Sequence, residues 1–287
     1  MKKFKKKLGA IIAIFLAGIS LAACQKATAS GSGIFQPSQK TEQKQVRPTF
    51  FFHGYTSSIK AERFFAEAAE KSGASKQVIE AIVDKNGKVK LSEPLSAKAK
   101  NPLVLVGFED NRNLDTERTA FYAYRAIMAV RKSCKFKQMN LIGHSMGDMT
   151  INYLLIDYGQ KQTFPKIKKI VYLAGHFNGV RSERMYVSAN HKNGKPIHMN
   201  ANYKRQLVLR KLYPHAKVLN VYGDLEDGSH SDGRVKNSSS KSLRYLVSPK
   251  AKSYKEKKFT GPMAQNSRLR ENPQVLKTAI RFLWPNS

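Results

Sequence analysis

Met139-Asn140-Leu141-Ile142-Gly143-His144-Ser145-Met146-Gly147-Asp148 is the stretch on which the reading of this chain turns. Met139 to Ile142 is an apolar run of strand length, and Met146 to Tyr158 reads as a helix. Between them stands Gly-His-Ser-Met-Gly, a G-x-S-x-G pattern set at a strand-to-helix turn. That context defines a nucleophile elbow. The turn is so tight that its flanks tolerate little beyond glycine, and Ser145 is held on a strained backbone with its hydroxyl exposed. The N–H of Met146, at the helix start, points where an oxyanion would form.

Working outward, the same alternation continues. Thr49-Phe50-Phe51-Phe52 is a continuously apolar strand ending at His53-Gly54, and a helix follows from Ser58 to Ser72. Leu103 to Phe108 is a second buried strand and Thr116 to Arg131 a helix. Ile170 to Ala174 and Val218 to Tyr222 are two further strands, and Tyr254 to Phe259 is a more polar one. Asn272 caps a last helix with Pro273 at its first position. Unbroken apolar strands between amphipathic helices predict a mostly parallel sheet covered on both faces. The long connection from His176 to Pro214 is rich in Lys, Asn and His and predicts a lid over the carboxyl ends of the strands.

The loop after the first strand supplies the second half of an oxyanion hole, with the backbone N–H of Tyr55 as donor. Here the backbone does the work, and the His53 ring reads as a turn residue satisfying backbone groups. The acid follows the strand Val218 to Tyr222. Asp232 is the leading carboxylate, because Asp-Gly-x-Val returns the chain to the sheet edge, with Asp224 and Asp227 behind it. Each also has a plain role as turn chemistry beside glycine.

The chain has 287 residues, 51 Lys+Arg against 20 Asp+Glu, a formal net charge of +31, and 41% hydrophobic residues. These values exclude a disordered chain, a collagen-like chain and a multi-span membrane protein. Five lysines precede an apolar run from Leu8 to Ala23, too short to span a bilayer and of the length of an export signal. It ends Leu21-Ala22-Ala23-Cys24, which looks like a bacterial lipobox. Residues 1–23 are therefore expected to be a signal peptide, Cys24 a lipidated N-terminus, 24–45 a flexible tether and 46–287 the folded domain. The expected location is the outer face of the cell membrane. The surplus of cations predicts attraction to an anionic envelope lipid or polymer, or simply a solvated basic surface. No zinc-ligand spacing, basic heptad helix or phosphate-binding glycine loop is present, so no metal, cofactor or nucleic acid is expected.

Five pieces carry a resemblance: Pro48 to Tyr55, Gly143 to Gly147, Leu219 to Asp224, Ser231 to Val235, and Glu271-Asn272-Pro273. With them the chain resembles the Gram-positive cell-surface α/β-hydrolases of uncharacterised function, a family related to lipases, over roughly residues 46 to 285. The resemblance implies an α/β-hydrolase fold, acyl-ester hydrolysis, and a triad on Ser145, Asp232 and a histidine near the C-terminus. Two departures stand out. The family's final loop reads like His-Ser-x-Leu-His-Glu-Asn, where this chain has Asn266-Ser267-Arg268-Leu269-Arg270-Glu271-Asn272. The family also carries glycine where this chain has Asp148.

No histidine follows His230, so the base expected after the acid is absent. Asn266 can hydrogen-bond but cannot take a proton, and the Arg270 guanidinium stays protonated. His230, in the acid loop, is the leading substitute base; His176, His191 and His198 are the others, and each also reads as an exposed or turn histidine. Two functions therefore compete: a lipid-anchored serine esterase with a displaced base, and a pseudo-hydrolase that retains the fold as an envelope-binding module. A basic wall-polymer adhesin is a third.

Overall fold

In the computed structural model, which describes residues 45–285, Phe50 and Phe52 enter one hydrophobic cluster and Phe51 another. Successive strand side chains face opposite sides, so a fully buried strand needs apolar residues at every position. This strand, β1 (Thr49–Phe52), lies inside an eight-stranded sheet. The others are β2 (Val78–Val83), β3 (Val89–Leu91), β4 (Leu103–Phe108), β5 (Gln138–His144), β6 (Lys166–Leu173), β7 (Lys217–Asp224) and β8 (Ser253–Thr260). Their order is β3-β2-β4-β1-β5-β6-β7-β8. Only the β2–β3 pair is antiparallel.

Helices cover both faces. On the Phe51 side pack α1 (Ile59–Lys71), α8 (Asn266–Leu269) and α9 (Pro273–Leu283), through Phe65, Leu269 and Leu276 among others. On the other side pack α2 (Thr116–Ser133), α3 (Met146–Asp157), α4 (Ala201–Gln206), α5 (Leu209–Leu212) and α7 (Leu243–Val247), through Ile127, Leu154, Tyr203, Leu209 and Leu246. A short α6 (Asn237–Lys241) buries Ser239 and Ser240. Ser58, Asp115 and Asn272 each accept a backbone N–H at the start of their helix, as N-caps do. The fold is that of an α/β-hydrolase.

The chain runs from β1 out to β2 and β3 at one edge, comes back to β4 beside β1, and then crosses to β5 on the other side of β1. Ligands of open α/β sheets sit at such a reversal, outside the carboxyl ends of the strands. Phe52 pairs with Gly143 in register, and His144 with Leu173, so the loops after β1, β5 and β6 open side by side. The segment 176–214 is built of turns with α4 and α5, and its residues His176, Phe177, Glu183 and Asn200 line a cavity together with Ser145. Among the described residues no helix is long and apolar enough to cross a membrane. The expectations for the signal peptide, Cys24 and all but the last residue of the tether lie outside the described residues.

Candidate active site

Ser145 joins β5 to α3 with φ 53° and ψ −110°, a left-handed backbone that costs a non-glycine residue on the order of 1–3 kcal/mol. The surroundings enforce it. A Cβ at Gly147 would run into the Phe52 carbonyl oxygen, and one at Gly143 into the Asp148 carboxyl. Glycine at both positions lets α3 start hard against β1. The Ser145 N–H donates to the Leu173 carbonyl at 2.8 Å, tying the turn to β6. The side chain is half-buried.

The N–H groups of Tyr55 and Met146 make no hydrogen bond to protein among the described residues. Both residues line the same cavity as Ser145. Two unpaired amides beside a hydroxyl are the donor pair an oxyanion requires. The loop that presents Tyr55 is held by His53. The ring donates from Nδ1 to the Gly54 carbonyl at 2.8 Å and accepts the Phe108 N–H at Nε2, 3.1 Å away. Burial lowers its pKa, so it stays neutral. His53 is thus the turn residue the sequence suggested.

Of the three candidate carboxylates, Asp232 is the one directed at the base position. It is buried; Oδ1 accepts the N–H groups of Arg234 (2.9 Å) and Val235 (2.7 Å), and Oδ2 accepts Nδ2 of Asn266 at 2.8 Å. Burial raises its pKa, and those three donors oppose the rise. Asp224 instead closes its own loop, accepting from the Glu226 N–H and from Asn237 Nδ2, and Asp227 caps an exposed turn at Ser229.

Asn266 stands at the position where the sequence resemblance expects a triad base. Its side chain meets the acid, its N–H donates to the Asp232 carbonyl, and its carbonyl accepts Nε2–H of His144 at 2.9 Å. Every link is a hydrogen bond, and none offers a site for a proton from Ser145. Arg270, at the second departing position, lies near the buried Glu62. Burial pushes that carboxyl well above the ordinary glutamate range, with the Arg270 charge and the Val106 amide partly opposing it.

The histidines separate clearly. His230 is exposed and lines a different cavity of about 610 Å3, together with Asp224, His191 and Lys258. His176 is the imidazole that lines the Ser145 cavity, a space of about 390 Å3 shared with Leu114, Met149, Phe177 and Val235. Its Nδ1 is buried without a partner and Nε2 makes no hydrogen bond to protein. Burial pushes its pKa down to about 4, opposed by the Glu183 carboxylate, which lines the same cavity. The ring is therefore neutral at pH 7. His144 is also driven to about 4, first by burial.

Asp148 lies beneath the elbow, in the first turn of α3. It is fully buried, and neither oxygen is in hydrogen-bonding geometry with a partner. Burial pushes the carboxyl well above the ordinary aspartate range, the nearby Leu173 backbone only partly opposing it. Burial therefore favours the neutral carboxyl, the form that would not oppose an oxyanion above it. Sequence reasoning flagged this residue as a departure without its protonation, which depends on burial by β5, β6 and α3. It also missed that Arg234, beside the acid, reaches the Ser145 cavity.

Comparison with known proteins bears on the family and the fold. A family model described as alpha/beta hydrolase of unknown function (DUF915) matches residues 36–286. Among solved structures, the lin2722 gene product of Listeria innocua is 25% identical with a TM-score of 0.75, over 83% of this chain and 93% of that one. A candidate cell surface hydrolase from Lactobacillus plantarum is 20% identical with a TM-score of 0.70, over 84% of this chain and 93% of that one. The carboxylesterase CesB of Bacillus subtilis is 13% identical with a TM-score of 0.44, over 85% and 86%. Comparison with curated proteins finds no match.

Proposed function

The chain belongs to this family of alpha/beta hydrolases of unknown function, and on that basis we propose that it is a serine hydrolase that cleaves acyl esters through Ser145. The observation that carries the reading is the elbow itself: Ser145 in a positive-φ turn, opening on a half-apolar cavity with two unpaired backbone amides beside it. The Ser145 oxygen attacks the ester carbonyl carbon, and the Tyr55 and Met146 amides receive the developing oxyanion. Collapse breaks the bond to the alcohol, and water then releases the acid from the acyl-enzyme. The hydroxyl proton passes to a base and on to the leaving alcohol.

His176 serves as that base, because it shares the cavity and is neutral at pH 7. A pKa near 4 makes it a weak one, since base efficiency falls as the pKa drops below the working pH. Asp232 and Asn266 form the acid and base positions of a triad in which Asn266 cannot accept a proton. The apolar lead-in and Cys24 support export and lipid anchoring at the cell surface, a location in keeping with the Lactobacillus plantarum relative. Radiolabelled palmitate incorporation lost in Cys24→Ala checks that part.

A second reading is favoured by one observation, the bond from Asn266 to Asp232. It is a pseudo-hydrolase that binds an envelope component in the same cavity without turnover. Fluorophosphonate labelling and nitrophenyl butyrate hydrolysis by the full-length chain, beside Ser145→Ala, separate the two. Labelling and turnover lost in Ser145→Ala support the hydrolase. A folded protein that neither labels nor turns over leaves the binding module.

A further inference from the structure

Next to the Ser145 cavity is a second one of about 520 Å3, lined by Val180, Arg181, Ser182, Arg184, Gly233 and Arg234. Val180 and Arg234 line both, so the two spaces share that wall. All three arginines are exposed, and among the described residues none of their guanidinium groups makes an ion pair or hydrogen bond.

The neighbouring acids are engaged elsewhere. Glu183 stands between Arg181 and Arg184 in sequence but turns into the Ser145 cavity, where it accepts the Val180 N–H and Asn200 Nδ2. Asp232 is committed to two backbone amides and Asn266. Asp227 holds the Ser229 N–H in an exposed turn and feels the Arg181 charge only at a distance. No acid lines the second cavity. Three like charges around one space repel each other, and a bound anion removes that repulsion. Guanidinium forks match phosphate oxygens two at a time, which a lysine cannot do. Leu114, Met149 and Phe177 give the Ser145 cavity an apolar lining suited to an acyl chain.

We infer that Arg181, Arg184 and Arg234 form a subsite for a phosphate group on the alcohol part of the substrate. The ester cleaved at Ser145 is then an acyl ester of a phosphate-bearing alcohol. The inference rests on Ser145 acting as the nucleophile.

The test uses the full-length chain and two dispersed substrates that differ by a phosphoglycerol headgroup, dihexanoyl phosphatidylglycerol and dihexanoylglycerol, followed by hexanoate release. The ratio of kcat/KM for the phosphate-bearing over the neutral ester is expected to be about tenfold at low salt, the size of one or two screened charge-assisted bonds. It should shrink as salt shortens the reach of exposed charges, and fall close to one in the Arg181→Gln/Arg184→Gln double variant. Competition by inorganic phosphate would identify phosphate itself as the recognised group; preference without such competition would assign part of the recognition to the glycerol headgroup. A wild-type ratio near one, or a ratio the double variant leaves unchanged, overturns the subsite.

Calorimetric binding of dihexanoyl phosphatidylglycerol to Ser145→Ala distinguishes the two failures. Binding that depends on Arg181 and Arg184, in a protein whose wild type never turns over, sinks the hydrolase and keeps the subsite. Turnover with no phosphate preference does the reverse.

Discussion

Asn266 donates its side-chain amide to Asp232, 2.8 Å from Nδ2 to Oδ2, at the position where the sequence resemblance expects a triad histidine. The acid is therefore built, buried and satisfied, but the group it supports has no basic atom.

Asn266→His should restore a base. The new imidazole inherits the Asp232 contact, which fixes its tautomer and ring plane. A positioned general base contributes on the order of a hundredfold or more, so nitrophenyl butyrate kcat/KM should rise at least about that much. The gain should vanish in Asn266→His/Ser145→Ala. If Asn266→His folds and gains nothing, Ser145 is not within reach of that position.

His176→Gln should lower the residual turnover by about a hundredfold. The working form of the ring is unprotonated, so wild-type activity should fall as pH drops through about 4 and be flat above it. A pH profile with its acid limb near the ordinary histidine range would assign the base elsewhere. His230→Ala should change kcat less than about twofold, because that ring lines the other cavity.

Asp148→Asn should stabilise the protein, and increasingly so as pH rises. The carboxyl is protonated in the folded state and ionised in the unfolded state above the ordinary aspartate pKa. The unfolded state then binds fewer protons, so wild-type stability falls with pH in that window, at up to about 1.4 kcal/mol per unit. Below the ordinary pKa both states are protonated and the effect disappears. Urea unfolding of both proteins at pH 4, 5.5 and 7 reads the difference directly; parallel pH curves would mean that Asp148 is ionised in the fold.

Gly147→Ala should cost about 2–4 kcal/mol, because its methyl group meets the Phe52 carbonyl, a backbone atom that cannot rotate away. The Met146 N–H moves with the helix start, so fluorophosphonate labelling should weaken even in molecules that remain folded. A variant with wild-type stability would show that α3 can withdraw from β1 freely.

Much of the architecture is legible along the chain. The strands at Thr49–Phe52 and Leu103–Phe108 and the helix beginning at Pro273 stand where apolar runs and caps put them. The β2–β3 hairpin escaped notice because it forms the half-exposed sheet edge. Glu80 interrupts the apolar run of β2, and β3 is only Val89–Leu91, so neither shows the burial pattern of an inner strand. Its turn signal was Asn86-Gly87, with φ 83° at the glycine. The short helices α4 to α8 are also invisible locally, since a few residues nucleate no helix without neighbours to pack on.

The elbow is readable along the chain because its demands are steric and local: a strand, two glycines within contact of backbone or carboxyl, and a serine between them. It also established that no histidine follows His230. The tertiary structure alone decided which partners meet. Asp232 and Asn266 are 34 residues apart, and His144 and Asn266 are 122 apart, so their contacts depend on how β5, β7 and α8 are stacked. The same stacking directs His176 into the serine's cavity and His230 out of it, and it buries Asp148 deeply enough to hold a proton. Desolvation and the meeting of distant side chains are properties of the packed sheet, and no local pattern of residues encodes them.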